Sequence, residues 1–410
     1  MTQTVVTPHH IGINGWFLQH PFTGIGQYTI QLLREFSKMK TENEPSVRDV
    51  EFLVVVPDDA CVQLMRDEQI TLPVHVLPEI SWMPRSFQKH IWEQIQLPKF
   101  FTEQQMSTVW LPYPCATWFT TPSYRTVVTV HDAIPWTMPQ YRTGVLSSLA
   151  HAMSLRATHT LPNRTDNAII TVSETSAEDI VGVCEIPRER IQVIWNGVSD
   201  IFKTPADPQL VTQILQEYDL TRGNYFLYVG GYDARKRVAK LVESYQQYGN
   251  GNEQAKLVLV GGKSYDTALY RDFDRAADAA SNTTASLTAS QKSDTISVVR
   301  TGFLEESHLN ALYEGCRAFL HFSEQEGFNI PLAQALVKNL PCGVSDIPVH
   351  REIAGNRAIY TNPDDAVATA SLWRTLCTLT PPTVVPSQTS SAARDAFSWT
   401  TSAREHLRVF

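Results

Sequence analysis

Short apolar runs alternate with amphipathic stretches along almost the whole chain, and this alternation limits the folds open to it. Runs at Glu51–Val56, Thr126–Val130, Ala168–Val172, Gln192–Trp195, Tyr225–Val229, Lys256–Val260, Ile296–Val299, Ala318–Phe322 and Ala358–Tyr360 read as strands. Helical spacing lies between them at Gly26–Ser37, Ser173–Val183, Lys236–Tyr248, Glu305–Gly315 and Pro331–Asn339. Apolar strands followed by helices bury both faces of a parallel sheet, so the expected class is α/β. At 410 residues the chain exceeds one ordinary core. Two domains of about 200 residues each are expected.

The pattern breaks around Ser199–Thr221, where SDIFKTPADPQL carries two prolines and little apolar content. The boundary is placed there. Residues 1–200 form one doubly wound, Rossmann-like half, 201–390 a second, and 391–410 a helix packing back toward the first. Ligands in such sheets collect at the carboxyl ends of the strands, in a cleft between the halves. An Ala/Ser/Thr-rich stretch from Ala276, AADAASNTTASLTASQKSD, reads as a solvated insertion or a frayed helix end.

Hydrophobic content of 43% against 19% charge is that of a globular protein. A net charge of -8 argues against nucleic acid as a partner and gives no global attraction to anionic membranes. The six cysteines show no C-x-x-C pair and no zinc-type histidine spacing, so buried free thiols are expected and no metal. MTQTVVTPHHIGING has no basic n-region with an apolar run, and no run approaches 18 apolar residues. A soluble cytoplasmic protein is expected, with contact at the inner face of the membrane left open.

Several segments carry chemistry. Ser323–Gly355, SEQEGFNIPLAQALVKNLPCGVSDIPVHREIAG, reads as a strand ending in a polar turn that feeds a helix N-terminus. Glu326 stands in that glycine turn, where a carboxylate suits ligand contact. In Gly230–Val238, GGYDARKRV, three consecutive cations (Arg235, Lys236, Arg237) open a helix whose dipole disfavours them. A diphosphate is the compensating ligand this argument favours, and a solvated basic turn is the alternative. Thr23-Gly24-Ile25-Gly26 opens the first long helix, either as an amide site for an anion or sugar hydroxyl or as a plain turn. A nicotinamide fingerprint fails there, because Thr29 occupies the third glycine position. His131-Asp132 ends an apolar strand, so His131 is a candidate base or hydrogen-bond donor. Asp132 points to the other face, which argues against it as the orienter of His131 and for a cap on the following turn. Trp195-Asn196-Gly197 is a turn signal first and a ligand contact second.

TGIGQY, WEQIQLP, VVTVHDAIPWTMPQY, AIITVSETSAEDIV, VIWNGV, YVGGYDARKRVAKLVESY, EGFNIPLAQAL and SDIPVHREIAG follow one another in the order of a known family. From about Ile11 onward the chain resembles a family 4 retaining glycosyltransferase of GT-B fold. WEQ-x-x-LP, HD-x-IP and D-x-RK are most similar to the mannosyltransferase and rhamnosyltransferase branch. The resemblance implies that the first half holds the acceptor and His131, and that the second grips a nucleotide-sugar donor. Arg235 and Lys236 match the diphosphate-holding pair, with Gly231 in the turn before them. Glu326 matches the carboxylate on donor-sugar hydroxyls, and Gly327, Phe328 and Asn329 match the turn beside it. Gln334 replaces the second carboxylate, expected on the ribose, and Asn329 replaces a glycine. Gly24, Gly26 and Asn196 join the implied donor-binding set. Front-face transfer with retention, no metal and no resident cofactor are implied, from a GDP-mannose-type, UDP- or dTDP-sugar donor to a glycan or lipid-linked acceptor. Two rivals are a weakened nucleotide-sugar-binding scaffold and a sugar-nucleotide epimerase of the same fold.

Overall fold

A computed structural model describes residues 8–80, 82, 85–117, 122–138, 145–164, 166–249, 255–262, 298–379 and 395–410. The Ala/Ser/Thr-rich stretch from Ala276 and the first two residues of the Ile296–Val299 strand lie outside the described residues. The chain divides into two compact units, one ending at Gly197 and regained at Ser398–Phe410, the other running Val198–Phe397.

The first unit is built on β1 (His9–Asn14), β2 (Val50–Val56), β3 (Val74–Val76), β4 (Thr108–Leu111), β5 (Arg125–Thr129), β6 (Ala168–Thr171) and β7 (Ile191–Val193). They form a parallel sheet in the order β3-β2-β1-β4-β5-β6-β7. Strand order therefore reverses between β1 and β4, the kind of point where a crevice opens at the carboxyl ends. Neither β1 nor β4 is among the strands expected from the apolar pattern. β1 is HHIGIN, and its Gly12 is required because a side chain there would strike the ring of Phe101. The WEQIQ segment, Trp92–Gln96, winds as a π-helical turn with Trp92 fully buried and its indole N–H donating to Leu77 O at 2.6 Å.

The second unit contains β8 (Tyr225–Val229), β9 (Lys256–Val260), β10 (Val298–Gly302), β11 (Ala318–His321), β12 (Cys342–Ser345) and β13 (Ile359–Thr361). Their order is β10-β9-β8-β11-β12-β13, again parallel. The reversal here falls between β8 and β11. Phe226, Leu257, Leu320 and Trp373, all fully buried, fill the core against this sheet.

The C-terminal helix, Trp399–Val409, is capped by Ser398 and lies on the first unit's helix Gly24–Thr41. Thr400 Oγ1 donates to Glu35 at 2.8 Å, and Arg404 pairs with Glu44 at 2.8 Å. Arg125 and Thr108 donate to the Phe410 carbonyl at 2.6 and 3.1 Å. His406 is wholly buried, with its Nδ1–H donating to Ser402 O at 2.7 Å and Nε2 lying 2.6 Å from the Tyr28 hydroxyl.

Burial pulls His406 and His131 each down to about 4 from the ordinary 6.5. The folded chain therefore takes up protons later than the unfolded chain as pH falls. Stability from these groups is complete above 6.5 and is lost as pH drops toward 4. The urea midpoint should fall between pH 7 and pH 5, and His406→Gln should flatten that fall. A midpoint constant over this range would contradict the assignment of two neutral imidazoles, one wholly buried at His406 and one part-buried at His131.

Candidate active site

The second unit's polar residues gather where its strand order reverses. β8 is followed by Gly230, whose φ of 154° suits glycine, and whose N–H donates to Val260 O at 2.9 Å. A Cβ on Gly230 would sit 2.8 Å from the Tyr228 hydroxyl and 3.3 Å from Lys236 Nζ, so the bare backbone lets the ammonium approach. Asp233 caps the short turn Ala234–Lys236, accepting from Arg235 N at 3.1 Å. Arg237 then takes a left-handed φ of 49° and the helix begins at Val238. The cations thus precede the helix.

Across from this turn, β11 delivers Glu326. Arg235 Nη1 lies 2.7 Å from Glu326 Oε2, and Lys236 Nζ lies 3.3 Å from Oε1. Ser323 Oγ donates to Oε1 at 2.7 Å. The three charged side chains are only 16%, 15% and 7% exposed, in the order Arg235, Lys236, Glu326. Burial alone would raise the Glu326 pKa, but Arg235 and Lys236 outweigh it and hold the carboxyl well below its usual range. Burial also pulls Lys236 below the ordinary lysine value.

The expectation that the three cations need an outside anion is corrected by this geometry. Arg235 pairs with Asp233 as well as Glu326, Lys236 with Glu326, and Arg237 with Glu324 and Asp364. The helix dipole is offset within the protein. Gly231 has open space around it, and its carbonyl accepts from the Tyr228 hydroxyl at 2.7 Å.

Sequence reasoning missed Ser323 and His321. His321 stacks on Tyr228 at 5.2 Å, and its Nδ1 lies 3.1 Å from Ser323 Oγ. Ser323 gives its proton to Glu326, so His321 Nδ1–H donates to Ser323. A hydroxyl three residues before Glu326 was the available signal; the histidine had none.

In the first unit, His131 Nε2–H donates to Pro112 O at 2.8 Å, so Pro112 orients the ring. Asp132 instead caps the next turn, accepting from Ile134 N at 2.9 Å. Gly26 does not offer a free amide, because its N–H donates to Thr23 Oγ1 at 3.1 Å. Its lack of a side chain is required by the His20 carbonyl packed against it, whereas Gly24 has open space. Asn196 is buried, with Oδ1 lacking a hydrogen-bond partner among the described residues.

Residues 22–200 match the family model described as Glycosyltransferase Family 4, and residues 212–374 the model Glycosyl transferases group 1. The chain belongs to the family 4 glycosyltransferases. It is 22% identical over 369 residues to the O-antigen chain mannosyltransferase B of Escherichia coli, covering 86% of each chain. It is 27% identical over 255 residues to the O-antigen chain mannosyltransferase RfbU of Salmonella typhimurium, covering 61% of each. The Anabaena protein HepE, solved with UDP and glucose, matches at TM-score 0.65 and 15% identity, over 98% of this chain and 94% of that one. The glycosyltransferase fold is accordingly GT-B.

This glycosyltransferase accommodates its two departures from the family pattern through specific bonds. Asn329 adopts the left-handed φ of 72° that a glycine would take freely. Its Oδ1 caps the helix Ile330–Val337 by accepting from Leu332 N at 3.1 Å, and its Nδ2 donates to His350 Nε2 at 2.9 Å. Gln334 is buried in that helix, where Oε1 accepts from the Tyr313 hydroxyl at 3.1 Å. Phe328 is buried in the same turn.

Asn329→Ala removes the cap and forces a left-handed alanine, and should cost about 2–3 kcal/mol in urea unfolding. Asn329→Gly keeps the backbone conformation free and should cost about 1 kcal/mol. Equal losses would show that the left-handed conformation is not what Asn329 supplies.

Proposed function

We propose that this glycosyltransferase moves a hexosyl group from a nucleotide-sugar, of the GDP-mannose type, to a glycan or lipid-linked acceptor with retention of anomeric configuration and without a metal. The observation that carries the donor reading is the meeting of Arg235, Lys236 and Glu326 at the β8–β11 reversal, beside the open space at Gly231. Ligands of doubly wound sheets sit at such points. The O-antigen mannosyltransferase relatives support the sugar and place in cell-surface polysaccharide synthesis.

The reaction breaks the bond from the anomeric carbon to the diphosphate oxygen and forms one from the acceptor hydroxyl oxygen on the same face. The acceptor's proton passes to the departing diphosphate. Arg235 and Lys236 stabilise the charge that grows on that leaving group, already fixed in place before the substrate arrives. Glu326, ionised and held by Ser323, orients the sugar through its hydroxyls. His131 contacts a substrate hydroxyl. Asn196, Gly231, Gly327, Phe328, Asn329 and Gln334 shape the donor side, Gln334 as a neutral acceptor for the ribose hydroxyls.

Incubation with GDP-mannose, UDP-glucose and dTDP-rhamnose in excess EDTA tests this reading. One donor should release nucleoside diphosphate, and NMR of the glycoside should show the donor's anomeric configuration. An inverted product, or activity restored only by Mg²⁺ or Mn²⁺, would overturn it.

A further inference from the structure

Tyr28 stands in the first unit's long helix, enclosed by four rings. Their centroids lie 6.0 Å (Trp110), 6.0 Å (Trp399), 5.8 Å (His406) and 4.6 Å (His131) from its own. Its hydroxyl belongs to a buried chain of hydrogen bonds that can run in only one direction. The Ser402 carbonyl can only accept, so His406 carries its proton on Nδ1, which leaves Nε2 to accept from Tyr28 at 2.6 Å. With its proton committed, the Tyr28 oxygen accepts from Thr129 Oγ1 at 3.1 Å, and Thr129 in turn accepts from Trp110 Nε1–H at 3.0 Å. Every donor has a partner, and the phenol cannot turn.

The same elimination fixes His131. The Pro112 carbonyl takes Nε2–H at 2.8 Å, so in the neutral ring Nδ1 carries a lone pair that has no hydrogen-bond donor among the described residues, on a side chain that is only part-buried. Tyr28 meets this imidazole at 86°, edge to face, and bars it from rotating away from Pro112.

We propose that Tyr28, locked by His406 of the C-terminal helix, is a positioning residue that holds His131 with its Nδ1 lone pair facing a sugar hydroxyl. The inference rests on His131 contacting substrate, as proposed above. It also selects the chemistry at that point. A hydroxyl can donate to Nδ1, whereas a phosphoryl or carbonyl oxygen would set lone pair against lone pair. His131 thus acts as an acceptor and not as the hydrogen-bond donor that the sequence left open.

Two measurements test this. In the native protein, ¹⁵N NMR of labelled histidines at pH 7 should show His131 protonated on Nε2 and His406 on Nδ1; a proton on His131 Nδ1 overturns the proposal. Kinetics of Tyr28→Leu, Tyr28→Phe, His131→Ala and the Tyr28→Leu/His131→Ala pair are read with whichever of GDP-mannose, UDP-glucose and dTDP-rhamnose turns over. Tyr28→Leu should lower kcat/KM about tenfold, as loss of one well-placed hydrogen bond does. Tyr28→Phe, which keeps the ring, should lose less, and Tyr28→Leu should cost nothing further once His131 is alanine. An unchanged rate for His131→Ala removes His131 from the site, and this proposal with it. A lowered rate for His131→Ala together with an additive loss from Tyr28→Leu leaves His131 in the site and overturns only the positioning role.

Discussion

Glu326 holds one buried carboxylate against two cations, and the rest of the second unit's site depends on that arrangement. Removing an ion from water costs several kcal/mol, which a buried pair recovers only with close geometry and further hydrogen bonds. Both conditions hold here, with Arg235 at 2.7 Å and the Ser323 hydroxyl also at 2.7 Å. The interaction ties the loop after β8 to the loop after β11, the two strands between which chain order reverses. With Asp233 included, two carboxylates balance two cations. The cluster is therefore stable when empty, yet its cations stay in place for a dianionic leaving group.

The supporting bonds extend outward from the same carboxylate. Ser323 receives from His321, and its backbone carbonyl accepts from Ser345 Oγ at 2.5 Å. His350, 2.9 Å from the Ser345 carbonyl through Nδ1, accepts from Asn329 through Nε2. Thus the turn EGFN, the helix after it and the SDIPVH segment form one bonded assembly. A reaction whose barrier depends on charge placement gains from such rigidity, because the groups need not reorganise as charge develops.

Much of the fold was legible, for a physical reason. Tyr225–Val229 and Lys256–Val260 are strands over the ranges their apolar runs mark, since strands buried on both faces need unbroken hydrophobic sequence. β1, β3 and β4 escaped because β1 contains Gly12 and Asn14 and the other two have only three and four residues. At the site, Arg235, Lys236 and Glu326 could be found from local motifs. What they bond to could not, because Glu326 lies 90 residues from Lys236. For the same reason the sequence suggested an unbalanced cation run where the structure supplies carboxylates, whereas the amide site suggested at Gly26 is closed locally, by the Thr23 hydroxyl that takes its N–H. Tyr28 and His406, 378 positions apart, meet only after folding.

Lys236 lies beside Gly230 and is held by Glu326, so its replacement reports on leaving-group stabilisation. An ammonium that stabilises the leaving group acts more strongly in the transition state than on the bound donor. Steady-state kinetics of Lys236→Ala should therefore show kcat lowered by about 10²-fold, with a much smaller change in donor KM. Near-normal kcat with only a raised KM would make Lys236 a simple binding contact and contradict the account.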